Sequence, residues 1–476
     1  MMTREIFSTL NRTFPLALVS AAFFVNISTG QDTFDIDVSY EKGQQYRVQS
    51  QIEHAGTVTV DYAEKDTPPQ HLEIDVKARL DYHERSVGSA AKPQAVRFYS
   101  QSHADIQLDK ASTESELLDC NQLIVARINS ESGNCYQIAS VEDTLQQREL
   151  ELLKNPADPL SLAGLLNKKQ VKIGAEWEPS RDNLARFLFV DHIIASDVKL
   201  TLKEAGDNVA KVYITGRTKA EVDDALTEMT VTGVLQIDLA AKLVTGLRLN
   251  VIEERRPGQI APGFEGKTKV DLRIALHEGI PQLSTDALKS IAQSKSIRNL
   301  LKWRSDSGKF ILKYDPAWKI IAAEDEAAVL RYVENGDLLA QCNIVRLASR
   351  PADKPLSLAD FEKEVTTIIS KDPTSHVIGA EQTTSVAGLK ALRVTVKGVE
   401  EEVPLNWVYY NVASPDGRQV TFVFTLEEAI AGRVELAAKK IVDGFVFHSE
   451  KSNLKSGPQS EEPKSHDAKA AGNSIR

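Results

Sequence analysis

Three stretches between residues 196 and 278 alternate apolar and polar side chains with little interruption: "SDVKLTLKEAGDNVAKVYITGR" breaks at "EAGDN", "MTVTGVLQIDLAAKLVTGLRLNVIEE" breaks at "LAAK", and "KTKVDLRIALHE" follows. A period of two sends alternate residues to one face of a strand, and short polar breaks fold the chain back. These runs therefore predict successive strands of an antiparallel meander. The same alternation in "YRVQSQIEH", "TVTVDYA", "LEIDVKARLDYHE" and "AVRFYSQSHADIQL" predicts an earlier series, so residues 31–280 are expected to be β-rich. Between the two series, at about 141–190, "VEDTLQQRELELLKNPADPLSLAGLLNKK" and "SRDNLARFLFV" carry helical spacing divided by prolines, which cannot continue a helix. A large, curved antiparallel sheet with inserted helices is the expected result.

Length and charge bound the rest. A chain of 476 residues with 42% hydrophobic side chains is expected to form two or three domains, each with its own core. Lys plus Arg number 57 against 67 Asp plus Glu, a net charge of −10 that disfavours nucleic acid and anionic membrane surfaces as partners. The N-terminus reads as a secretory signal peptide over residues 1–30: Arg4 and Arg12, the apolar run "FPLALVSAAFFV", then Ser28 and Gly30 at the −3 and −1 positions of a cut before Gln31. Later stretches fall short of the roughly 18 to 20 apolar residues that a helical span requires, so no transmembrane segment is expected after signal removal. The mature protein is expected to be secreted or periplasmic, with an uncleaved anchor as the alternative. The tail at 449–476 has almost no large apolar residues and is expected to be disordered.

Cysteine usage fits an oxidising compartment. Cys120 and Cys135 flank a strand-like run and a Ser/Gly/Asn turn and are a possible disulfide, which would close a loop of about 15 residues and stabilise by about 3 kcal/mol. Cys342, in the apolar run "LLAQCNIVRL", is expected to be free and buried.

After a connector at 281–305, where Ser284 or Thr285 can cap a short helix, residues 306–448 read as a second unit. Its hairpin "WVYYNVASPDGRQVTFVFT" has a Pro-Asp-Gly turn. If Ala413 and Arg418 close that turn, Trp407, Tyr409, Asn411, Val420, Phe422 and Phe424 share one face, ready for the amphipathic helix of "TLEEAIAGRVELAAKKIVDGF". Upstream come "GKFILKYDPAWKI", two strands around Asn335-Gly336, the helix of "SLADFEKEVTTIIS" and the strands of "HVIGAEQTTSVAGLKALRVTVKG". This element order resembles the PsbP and DcrB type of α+β domain over roughly 30% of the chain. The resemblance implies a binding module and carries no catalytic residues. Residues 31–280 are loosely similar to lipoprotein-carrier half-barrels. The fold class expected is thus α+β in two domains.

Recognisable chemistry is sparse. The nine histidines include no pair at zinc-ligand spacing, and there is neither a phosphate loop nor a Gly-x-Ser-x-Gly elbow. Ser89 to Lys92 match Ser-x-x-Lys inside a Gly/Ala/Pro loop, a chance match. Asp35 and Asp37 share a strand face without an acidic loop to complete a calcium site. No metal, cofactor or catalytic residue is assigned. One segment, "RRPGQIAPGFEG", separates two strands with a long loop, and Arg255, Arg256 and Phe264 make it a candidate binding loop. The expected function is a non-enzymatic binding or accessory protein for an unknown protein or apolar ligand. Two alternatives stay open: a hydrolase whose residues converge from distant positions, and a carrier with an apolar cavity between sheet and helices.

Overall fold

The computed structural model describes residues 33–60, 68–88, 92–109, 111–116, 122–129, 135–166, 168–293, 299–334 and 337–448. The expected signal peptide, the tail, the Asn335-Gly336 turn, residues 89–91 and Cys120 lie outside the described residues, as does the side chain of Cys135. Among the described residues the chain is mostly antiparallel sheet.

The two N-terminal strand series form one sheet of 13 strands. The last strand of the second series, Gly263–His277, pairs antiparallel with the first long strand, Gln45–Val60, and so welds the two meanders edge to edge. Alternation is kept across this seam: Val48, Ile52, Ala78, Leu80, Leu272 and Val270 point to one face and are buried. On that face lies the insertion, as helices α1 (Gln147–Leu153), α2 (Pro159–Leu166) and α3 (Arg181–Leu188). Each boundary has a local cause. The Gln146 backbone N–H donates to the Glu149 carboxylate at 2.6 Å, Pro159 opens α2, and Ser180 caps α3 by accepting from the Asn183 N–H. Outside the large sheet, Thr33–Ile36 pairs with Lys168–Lys172 as a separate two-stranded sheet.

A buried ion cluster fixes the insertion to the sheet. Arg97, 1% exposed, donates to Glu84 and to both carboxylate oxygens of Asp158 at 2.7 Å each. Asp158 immediately precedes α2 and also accepts from the Leu160 N–H, so this fork joins two strands to a helix start.

The connector does more than link. It contains a 3-10 turn (Pro281–Leu283), helix α4 (Thr285–Gln293) and then strand Leu301–Ser305. That strand sits in a four-stranded sheet beside Phe310–Tyr314, which in turn pairs with Phe445–Phe447. Its other neighbour is Leu145–Gln146 from the insertion, in parallel register.

The remaining strands form a seven-stranded sheet, Trp318–Ala323, Ala327–Glu334, Asp337–Leu347, Gln419–Glu427, Val403–Ala413, Lys390–Glu400 and His376–Thr384 in spatial order. Helices α5 (Leu358–Ile369) and α6 (Ala431–Asp443) cover its opposite faces. Here one expectation is corrected. The hairpin closes at Ala413 with Gln419, so Tyr410 faces Phe422 and Val408 faces Phe424, a register one residue away from the expected one. The reason is Asp416, which accepts from the Arg418 backbone and guanidinium and so draws Arg418 into the loop, where its carbonyl takes the Ser414 N–H at 2.9 Å. A slip of one residue exchanges the faces. Phe422 and Phe424 therefore lie under α6 with Val408, Tyr410 and Val412, while Trp407 and Tyr409 turn to the other face and pack with Phe361 and Val365 of α5. Cys342, in the same sheet, is free and fully buried, and burial pushes its thiol well up.

Candidate functional site

The helices do not lie flat on the large sheet everywhere. Between the sheet and α1 and α3 is a cavity of about 850 Å³, within the size range of small-molecule sites. Part of its floor is apolar, built from inward positions of three adjacent strands, Ile52, Val76, Ala78, Ala104 and Ile106; Met229 lies three strands away, and Glu253, Arg255 and Thr268 on the strands between, with His54, make the rest polar. Small residues at 78 and 104 make the room. The helical wall contributes Leu152, Leu188, Phe189 and Val190. Phe189 caps α3 in the left-handed region at φ 59°, a conformation unusual for a bulky residue, and its ring lies 4.9 Å from that of Tyr136.

Charged groups line the mouth. Lys319, contributed by the seven-stranded unit, meets Asp223 at 2.9 Å. Burial alone would weaken both charges, yet each holds the other ionised: Lys319 is raised and Asp223 lowered. Glu151 takes the Gln147 side-chain N–H at 2.8 Å, and Gln147 in turn accepts from the Ile320 N–H at 3.0 Å. Burial, then Asp223, raises Asp191, and burial raises Glu151. Lys154 is pushed below the ordinary lysine range by burial first and by Lys319 second. At the far end His54 stacks on Phe264 with ring centroids 4.3 Å apart and shares a 2.8 Å hydrogen bond with Thr268; burial lowers its pKa.

The residues singled out in "RRPGQIAPGFEG" separate in space. Phe264 is a strand residue, 4% exposed, and its ring covers Gly266, so it is not a loop-borne contact. Arg255, its cross-strand partner, lines the cavity and is tied to Glu253 at 2.6 Å. Arg256 alone remains exposed in the loop. The loop itself is held within the molecule, since the Gln259 carbonyl accepts from Arg331 of the seven-stranded unit. Asp35 accepts from the Gln170 N–H, and no group of three or more His, Cys, Asp or Glu among the described residues is placed to hold a metal. Lys154, Arg186, Lys319 and His54 were not singled out by sequence reasoning. Their only signal is position: Lys154 closes a predicted helix just before Asn-Pro, and Lys319 follows the Asp-Pro-Ala-Trp turn.

A depression of about 570 Å³ also lies between strands on the solvent side of the large sheet, beside Arg217, Lys219, Glu228 and Glu254. Lys219 and Glu228 pair there at 2.7 Å. The cavity beneath the inserted helices, with its larger volume and apolar patch, is the stronger candidate.

No family model and no curated relative matches the chain. Among solved structures, cyanobacterial PsbP (CyanoP) from Synechocystis sp. PCC 6803 is similar at 15% identity, covering 33% of this chain and 96% of its own, with a TM-score of 0.26. The Ran-binding protein Mog1p of Saccharomyces cerevisiae is similar at 10% identity over 31% of this chain and 95% of its own, TM-score 0.25. A protein of unknown function from Pseudomonas aeruginosa, PA94, is similar at 16% identity over 32% of this chain and 98% of its own, TM-score 0.23.

Proposed function

We propose that this is a non-catalytic, extracytoplasmic binding protein whose site is the cavity between the large sheet and its inserted helices, and whose ligand carries an apolar chain. The observation that supports this reading is the cavity's construction: a space of about 850 Å³ with an apolar patch of floor at Ile52, Val76, Ala78, Ala104 and Ile106 and polar and charged groups around it. The leader-like N-terminus supports export. An uncharged fluorescent reporter, N-phenylnaphthylamine, is expected to brighten on binding the full mature chain. Ala104→Trp, which fills the floor, is expected to abolish the signal while leaving the thermal transition in place. Equal brightening by both proteins would refute the cavity as the site.

A hydrolase remains as a second reading because of the His54–Thr268 hydrogen bond. Against it, Glu253 is engaged by two N–H groups of Arg255 instead of orienting His54, and Thr268 is a mid-strand residue. Ester turnover by the wild type that disappears in Thr268→Val would reverse the preference.

A further inference from the structure

The cavity's acids and cations are unequally provided for. All four lining carboxylates have a donor: Lys319 for Asp223, Arg255 for Glu253, Gln147 for Glu151, and the Asp223 backbone for Asp191. Of the five lining Lys and Arg residues, by contrast, Arg148, Lys154 and Arg186 form no ion pair among the described residues. Arg186 has a buried Nε with no hydrogen-bond partner, and only a long 3.4 Å contact from its Nη1 to Asn183. The Ala157 N–H donates to the Phe187 carbonyl at 2.8 Å, which sets the segment after α1 alongside α3 and puts Lys154 and Arg186 on the same wall. Arg148 is exposed, and Lys154 feels Asp223, Asp191 and Glu151 nearby without a direct ion pair, so the unpartnered buried Nε of Arg186 is the group that most wants an anion, and a wall that holds it beside Lys154 and an apolar patch suits a ligand that brings negative charge.

Resting on the cavity reading above, we propose that the ligand is an amphiphile with an anionic head, its apolar chain on the floor patch of Ile52, Val76, Ala78, Ala104 and Ile106 and its head on Lys154 and Arg186. Burial of Lys154, which disfavours its charge in the free protein, adds to the gain when an anion arrives. Carboxylate and phosphate heads share this chemistry, and the test separates them. Bound N-phenylnaphthylamine is displaced from the full mature chain by dodecanoate, dodecyl phosphate or dodecanol, three ligands with one chain length. At least one acid is expected to compete at about tenfold lower concentration than the alcohol, the better acid identifying the head. Lys154→Met and Arg186→Gln are expected to bring that acid to the alcohol's level and leave the alcohol unchanged, while Lys154→Arg keeps the preference. Acids and alcohol competing alike, or an acid preference that survives both charge removals, would overturn the head-group assignment and leave the cavity reading intact. Failure of the neutral reporter to bind at all would overturn both.

Discussion

Phe422 has no exposed surface and sets its ring edge-on to Phe445 at 5.4 Å, beneath α6. Truncating a ring so enclosed leaves a cavity that the neighbouring strands cannot close. Phe422→Ala is therefore expected to cost roughly 3 to 5 kcal/mol in chemical denaturation. Trp407→Ala, on the half-buried opposite face, should cost less, and an equal or larger loss there would contradict the register described above. Lys154 makes a different prediction, one of pH. Its folded pKa lies below the ordinary value of 10.5, so folding disfavours its proton, and stability is gained as pH rises through the window between the lowered pKa and 10.5. Below that window Lys154 is protonated in both the folded and the unfolded chain, and its cost to the fold is at its full value and does not change with pH. Lys154→Met should accordingly raise the melting temperature near neutral pH, with the gain shrinking as pH approaches 10.5. A gain that is constant with pH would point to packing alone.

At the scale of elements, alternation and punctuation in the chain were enough to place most strands, because each N-terminal strand buries one face and exposes the other. The inserted helices were legible for the same kind of reason: their spacing is helical, and Pro156 and Pro159 divide the first two. Register was not. The Asp416–Arg418 contact that shifts the hairpin is made by side chains, and "SPDG" looks like a complete turn without it. The strand Leu301–Ser305 was also hidden, since "LKWRS" is too short to display a period and reads as the end of a connector. Its burial matters: Leu301 and Trp303 are 3% and 9% exposed, and Trp303 meets Phe310 at 5.2 Å. A fragment of residues 299–448 is thus expected to melt cooperatively and to be more stable than a fragment of 306–448 by about 3 kcal/mol or more. Equal stability of the two would mean that this strand belongs energetically to the N-terminal sheet.

For the whole molecule, the site was illegible because no local stretch contains it. Its floor comes from strands some two hundred residues apart, its cations from helix ends, and Lys319 from the unit beyond the connector. That unit is also bound by Arg331 to Gln259, the connector strand before it by Lys302 to Asp143, and its core runs without a break into that of the large sheet. The small four-stranded sheet carries a consequence in time. Leu145–Gln146 is bordered by Leu301–Ser305, that strand by Phe310–Tyr314, and Phe310–Tyr314 by Phe445–Phe447, so three distant parts of the chain must all be present before it is complete. A chain emerging from its N-terminus can build the large sheet early, but it waits for Leu301–Ser305 to seat the strand that leads into α1, and for nearly its last described residues to finish the small sheet. Completion of the strand that leads into α1 is thereby deferred until well after the large sheet's own strands are made, and a chain truncated before Leu301 would leave it without its parallel neighbour.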